Sequence, residues 1–286
     1  MIAEVRVESW AELQERLFDE AWKEELGRFR SDFAFRGHAN AAGDLVTSLA
    51  RLDGDYAELE NHLLRNFRKY ARRDAVSVDS PWEWLALAKH HHLPTRVLDW
   101  SYSPYVALHF ATVDARRAES EAAEAAVWCV DFVRVREALP DALVNVLADE
   151  RSNVFTTEML SGTAESLAEL DELREEDDFV VFFEPPSLDE RIVNEYALFS
   201  LMSSATARLD EWLAERPDLA RRIVLPAELK WEVRDKLDQA NVTERVLFPG
   251  LDGLSAWLTR HYSPARRAVY GVATSSSTSG SVSSGS

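Results

Sequence analysis

Arg36 and Asp99 are charged residues set in apolar company, and that company invites chemistry; a late Glu195 stands ahead of an apolar strand. Arg36 follows Phe33, Ala34 and Phe35 in a run that ends at Gly37, so its guanidinium projects from the end of a buried strand. There it offers planar, paired donors to a phosphate or to a carboxylate. Asp99 sits between Leu98 and Trp100, so it is either paired with Arg36 or Arg96 or its pKa is raised. Paired, it fixes local geometry, and Arg36 then serves the fold alone; raised, it can act as an acid or base. His90, His91 and His92 suggest a metal, but consecutive helical residues point about 100° apart and cannot chelate together, so no metal site is expected. His91 shares helical spacing with Trp84, Leu87 and Ala88, which places it on an apolar face as a core histidine or as an acid–base or substrate-orienting group. Glu228-Leu229-Lys230 is an acid-x-lysine element of the kind a metal-dependent nuclease uses, without an aspartate at an upstream strand end to complete it. No Gly-x-Ser-x-Gly elbow or Gly-Lys-Ser/Thr loop occurs among only 10 glycines, which argues against serine hydrolases and P-loop NTPases.

The elements that must hold these residues can be read in order. Met1 to Val7 is strand-like, and Ser9-Trp10-Ala11-Glu12 is a capping box before a helix carrying Leu13, Leu17 and Ala21. Asp55 to Arg73 is helical, with Tyr56, Leu59, Leu63, Phe67 and Tyr70 on one face and Arg65, Arg68, Lys69 and Arg72 on another. That basic stripe is read as a solvated face, or as a contact for an anion or RNA. Pro81 to His92 is a helix stopped by Pro94, Thr95 to Trp100 a short strand, and Ser103-Pro104 the capped start of a helix with Val106, Phe110 and Val113. Trp82, Trp84 and Trp100 read as core residues. Ala126 to Phe132 and Phe179 to Glu184 look like central strands, while Arg134 to Asp178 is helix-prone and increasingly acidic. Arg222 to Leu225, a helix opened by Pro226 and running to about Gln239, and a last helix over Asp252 to His261 complete the pattern. The expected class is α+β, a mixed or antiparallel sheet flanked by helices in a single domain. Its segments are an N-terminal strand and helix (1–29), a motif-bearing part (30–132), an acidic helical excursion (133–178), the remainder of the fold (179–272) and a disordered Ser/Thr/Gly tail (273–286).

With 32 basic against 50 acidic residues the formal net charge is −18, a field that repels nucleic acid and anionic membranes as a whole. No secretory signal and no apolar run near the roughly 18 residues of a membrane span is present, so a cytoplasmic protein is expected. Cys129 is the only cysteine and lies in Ala126-Val127-Trp128-Cys129-Val130, where it reads as a small core hydrophobe.

Several blocks resemble the FRG domain family: Ala34-Phe35-Arg36-Gly37-His38, Thr47-Ser48-Leu49-Ala50-Arg51, the long stretch from Leu85 to Ser101, and the helix from Ser103 to Ala111. Arg191 to Ser200 and Leu247 to Leu254 also look like what accompanies this domain. The chain departs from the family's usual pattern at Glu195, where glutamine is customary, at Ala197, where glycine is, and at Lys89-His90. The resemblance implies a toxin or phage-defence setting and leaves the reaction open.

The order of Arg36, the strand with Thr95, Arg96, Asp99, Trp100 and Ser101 leading into a helix, and the late Glu195 also resembles the ADP-ribosyltransferase plan, whose corresponding residues converge on NAD. That likeness implies Glu195 as the carboxylate that stabilises the developing ribosyl cation, with Asp99 as reserve and His91 as a third catalytic candidate. Arg36 would hold the NAD phosphates, Ser101 or Thr95 the ribose, and Trp100 or Tyr102 the nicotinamide; Gly37, Arg96 and Asn194 complete the implied cofactor-binding set. A non-catalytic module that binds a ligand or protein is the alternative reading, and a metal-dependent nuclease a further one.

Overall fold

The computed structural model describes residues 2–52, 54–71, 80–113 and 123–263. The expected Ser/Thr/Gly tail and Arg72 of the basic stripe lie outside the described residues. The fold is α+β. The main-sheet strands are β1 (Ala3–Arg6), β4 (Phe33–His38), β5 (Leu98–Ser101), β6 (Ala125–Asp131), β7 (Phe155–Thr156), β8 (Val180–Glu184), β9 (Ala197–Met202) and β10 (Ala220–Leu225). They run in the order β1-β10-β6-β4-β5-β9-β8-β7, with the outermost pairs β1/β10 and β7/β8 parallel and all others antiparallel. A separate hairpin, not expected from the sequence, joins β2 (Trp22–Lys23) to β3 (Arg28–Phe29).

Alternation along the strands assigns the apolar residues to two faces. On one face a single cluster runs across the middle of the sheet, from Trp128 and Ala34 through Trp100 and Leu198 to Phe182, closed by Trp212 and Leu213 of the Leu209–Ala214 helix. On the other face there are two clusters. One joins Phe33, Phe35, Val127, Cys129 and Ile223 to α1 (Trp10–Leu17), α4 (Pro104–Thr112) and the Leu229–Gln239 helix. The other joins Val181, Phe183, Phe199 and Leu201 to α3 (Pro81–His90) and to Leu143, Leu147, Leu160, Leu167 and Leu170 of the segment expected to be an acidic excursion. The two covering layers therefore leave a gap, and it falls where the sheet itself is weakest. Every residue of β4 pairs with β6, from Phe33↔Asp131 to His38↔Ala126, but β4 meets β5 only at Phe35↔Ser101.

The caps of α1 and α4 are those the sequence announces, and Ser80 adds one for α3. The side chains of Ser9, Ser80 and Ser103 accept hydrogen bonds from the first turns of α1, α3 and α4, and prolines occupy the first helical positions of the latter two. The expected face of α2 (Tyr56–Ala71) is corrected: Glu60 and Leu64 turn inward, while Leu59 and Tyr70 are exposed. The cause is electrostatic. Buried Arg96 requires a carboxylate, and Glu60 meets it at 2.6 Å. Among the described residues no helix is long and apolar enough to cross a membrane.

Candidate functional site

Beyond Phe35↔Ser101 the strands part, and Arg36 bridges the opening, its Nη1 donating to the Asp99 carbonyl at 2.6 Å in place of a ladder bond. A second donor, Nε, reaches Nε2 of His38 at 3.1 Å. Because Nε2 accepts, the proton belongs on Nδ1, which donates to the Gly43 carbonyl at 3.2 Å. The loop after β4 is further held by Lys230 Nζ on the Ala39 carbonyl at 2.7 Å and by Arg222 on the Ala41 carbonyl. His38 thus fixes the guanidinium while remaining neutral: burial and the adjacent Arg36 drive its pKa down to about 4. An unfolded histidine titrates near 6.5, so between these values the unfolded chain binds the extra proton. This stabilisation is complete above about pH 6.5 and is lost as pH falls through about 4, amounting to roughly 3 kcal/mol. Urea unfolding at pH 7 and pH 4.5 should show a smaller acid-induced loss in His38→Gln than in the unaltered chain; equal losses would remove His38 from this role.

Facing Arg36 across the gap, Lys89 of α3 places Nζ 2.6 Å from Asp99 Oδ2, and Arg36 Nη1 lies 3.8 Å from the same oxygen. Glu195 follows the Glu190–Asn194 helix, and its Oε1 accepts from Arg191 Nε at 2.8 Å. Burial raises the Glu195 pKa, Arg191 opposes that, and the charges of Asp99 and Asp189 add to it. Ser101 Oγ donates to the Glu195 carbonyl at 2.7 Å and accepts from the Ser103 amide, so it ties β5 to the residue carrying the carboxylate. Tyr196 turns the chain into β9 with φ of 49°, and His92 leaves α3 with φ of 63°. Both are left-handed non-glycine residues beside the opening, a conformation that surrounding structure must enforce.

Of these residues Arg36, Lys89, His92, Asp99, Ser101, Arg191 and Glu195 line a cleft of about 490 Å³. Its floor is Phe35, Ala197 and Phe199, α4 contributes Val106, Ala107 and Phe110, and the charged wall comprises Arg36, Arg51, Lys89 and Arg191 with Asp99 and Glu195. In a chain of formal net charge −18 this is a local excess of cations, suited to an anionic ligand. His90 and His92 stand at the rim, where a shallower groove with His91, Asp189, Phe248 and Asp252 adjoins.

The structure brings Arg36, Gly37, Asp99, Trp100, Ser101 and Glu195 to this cleft. It places other expected residues elsewhere. Thr95 is buried, its carbonyl accepting from Ser48 and Leu49, and it does not line the cleft. Arg96 is buried between Glu60 and Asp171, each at 2.6 Å. Asn194 donates to the Val246 carbonyl outside the cleft. The Trp100 indole belongs to the opposite face, donating to Ser200 Oγ at 2.8 Å, so it offers no ring to a ligand in the cleft, while Tyr102 donates to Glu184 at 2.9 Å. His91 is exposed rather than on the apolar face, because α3 ends at His90 and His91 is its cap. Asp99 is exposed rather than apolar-sealed, since it alternates with Leu98 and Trp100 and so points the other way. Gly37 lies beneath α4, where a Cβ would come within 1.9 Å of the Ala107 carbonyl oxygen. Among the described residues no group of three His, Cys, Asp or Glu is placed to hold a metal ion.

Lys89, Arg51 and Arg191 line the cleft and His38 stands against Arg36, and the sequence reading gives none of them a role there. The clearest signal the sequence holds for them is the spacing of Arg191 and Glu195, four apart on a helix and therefore neighbours.

An α+β protein with a cationic cleft at a split in its sheet is thus the class defined by fold and site. Residues 31–120, about a third of the chain, match the family model of the FRG domain. Arg36, Lys89 and Asp99 fall inside the matched segment, Arg191 and Glu195 beyond it. No curated protein and no solved structure matches the chain.

Proposed function

We propose that the cleft binds NAD and that the protein is an ADP-ribosyltransferase-like enzyme. The observation that carries this reading is the meeting of Arg36, Lys89, Arg51 and Arg191 with the half-buried carboxylate of Glu195 in one cleft. The cations provide charge-assisted donors for a diphosphate. Glu195, ionised, faces the ribosyl carbon from which nicotinamide departs with the bonding electron pair, and opposes the positive charge left there. Ser101 holds the Glu195 backbone, and Arg191 competes with a substrate for the Glu195 carboxylate.

Calorimetric titration with NAD at low salt, paired with an assay of released nicotinamide, tests this directly. Arg36→Ala is expected to weaken NAD binding by at least about tenfold through loss of a charge-assisted contact. Glu195→Gln is expected to keep binding and to lower nicotinamide release by about 10²-fold or more. Release in the unaltered protein should rise with pH through a value above the ordinary glutamate range, because Glu195 is held above it by burial and must be ionised to act. Absence of NAD binding by the unaltered protein would overturn the reading. Binding without any release would instead support a non-catalytic ligand-binding module, which the existing Arg191–Glu195 pair at 2.8 Å favours.

A further inference from the structure

We propose that the carboxylate of Asp99 is a built-in competitor, holding the place that a phosphoryl group of the ligand takes between Lys89 and Arg36. The inference rests on the cleft being an anion site and on nothing specific to NAD. Asp99 Oδ2 lies 2.6 Å from Lys89 Nζ and 3.8 Å from Arg36 Nη1, and the Asp99 side chain is 53% exposed while the two cations are 13% and 19% exposed. The cations are thus the more enclosed partners, and the anion between them is the one with open solvent to turn into. The Arg36 anchors do not depend on that carboxylate, since Arg36 is fixed by the Asp99 main-chain carbonyl and by His38; the Lys89 stem issues from the last turn of α3, and its ammonium pairs with Asp99. Removing the carboxylate would leave the guanidinium where it is.

A phosphoryl oxygen presents the same chemistry to Lys89 and Arg36 as a carboxylate oxygen does, with more charge to offer. Asp99 therefore sets a threshold: it disfavours weakly charged ligands and is swung toward solvent by a diphosphate. Its position on β5, two residues before Ser101, also couples that swing to the strand that holds Glu195.

Inorganic pyrophosphate is the probe, titrated calorimetrically into the whole chain and into Asp99→Asn, Asp99→Ser, Lys89→Gln and the Asp99→Asn/Lys89→Gln pair, beside NAD. Asp99→Asn and Asp99→Ser are expected to tighten pyrophosphate by about five- to tenfold, the scale of one half-exposed like charge. Lys89→Gln should weaken it, and the gain from Asp99→Asn should shrink in the Lys89→Gln background. Folding of each variant is checked by thermal melting. Folded Asp99 variants that bind pyrophosphate no more tightly than the unaltered chain, or no pyrophosphate binding by any form, would overturn the proposal. Tightened pyrophosphate binding with no NAD binding would leave it standing while removing the NAD reading.

Discussion

Gly37→Ala is expected to destabilise the protein by on the order of 3–5 kcal/mol, measured as a fall in the urea midpoint with unchanged slope. A Cβ on Gly37 would lie 1.9 Å from the Ala107 carbonyl oxygen and 2.5 Å from the Ala111 amide nitrogen. These are main-chain atoms of α4, so no side-chain rotation relieves the overlap. The helix must lift from β4, and in lifting it exposes Leu108 and Ala111, which pack on Phe33 and Phe35. Because α4 also forms one wall of the cleft through Val106, Ala107 and Phe110, any surviving folded molecules should show an altered cleft as well. Gly162→Ala is the matched control: a Cβ there would meet nothing within 4 Å, and the residue occupies a helix, so the change should be neutral or stabilising by up to about 1 kcal/mol. A Gly37→Ala protein as stable as the original but unable to bind ligand would show instead that the glycine serves the ligand's approach.

The contrast between strand and cleft explains what can be read in the sequence. Apolar runs such as Ala126 to Phe132, and the Ser-Pro opening of α4, encode their elements locally, and these form where expected. Arg36 and Asp99 stand out because each charge interrupts an apolar context, whereas Glu195 is reached through the order of elements shared with the ADP-ribosyltransferase plan. The split between β4 and β5 does not stand out, because it is a relation of strands distant in the chain, and Lys89 and Arg51 acquire meaning only from that split. The exposure of Asp99 escapes a local reading for a related reason. Apolar sequence neighbours at the preceding and following positions face the opposite side of a strand, so they report the burial of that side and leave Asp99 free to point into the cleft. Helix α2 departs from its pattern differently: an apolar stripe at helical spacing is present, but the partner of a buried guanidinium takes the inward position.

That guanidinium supports the second large expectation. Glu60→Ala should cost about 3–5 kcal/mol, because it leaves Arg96 buried with its main charge partner removed. Glu60 Oε2 accepts from Arg96 Nε at 2.7 Å, Glu60 Oε1 accepts from the Arg96 amide at 3.2 Å, and both side chains are almost wholly buried. Asp171 closes the network at 2.6 Å from the other side of Arg96, but it is itself one-third exposed and cannot replace Glu60. Arg96 therefore binds α2 and the Leu167–Glu172 helix to the segment leading into β5, a duty inside the fold rather than toward a ligand. Replacing both partners, Glu60→Leu with Arg96→Met, should recover part of the loss, since the buried guanidinium is gone and the Asp171 carboxylate left without it is one-third exposed to water. In that double variant pyrophosphate affinity should match the unaltered chain within about twofold, the effect of one surface-pair-sized perturbation. A stable Glu60→Ala protein, or a stable double variant that no longer binds pyrophosphate, would make Arg96 a ligand-binding residue after all and would require the cleft to extend past β5 toward α2.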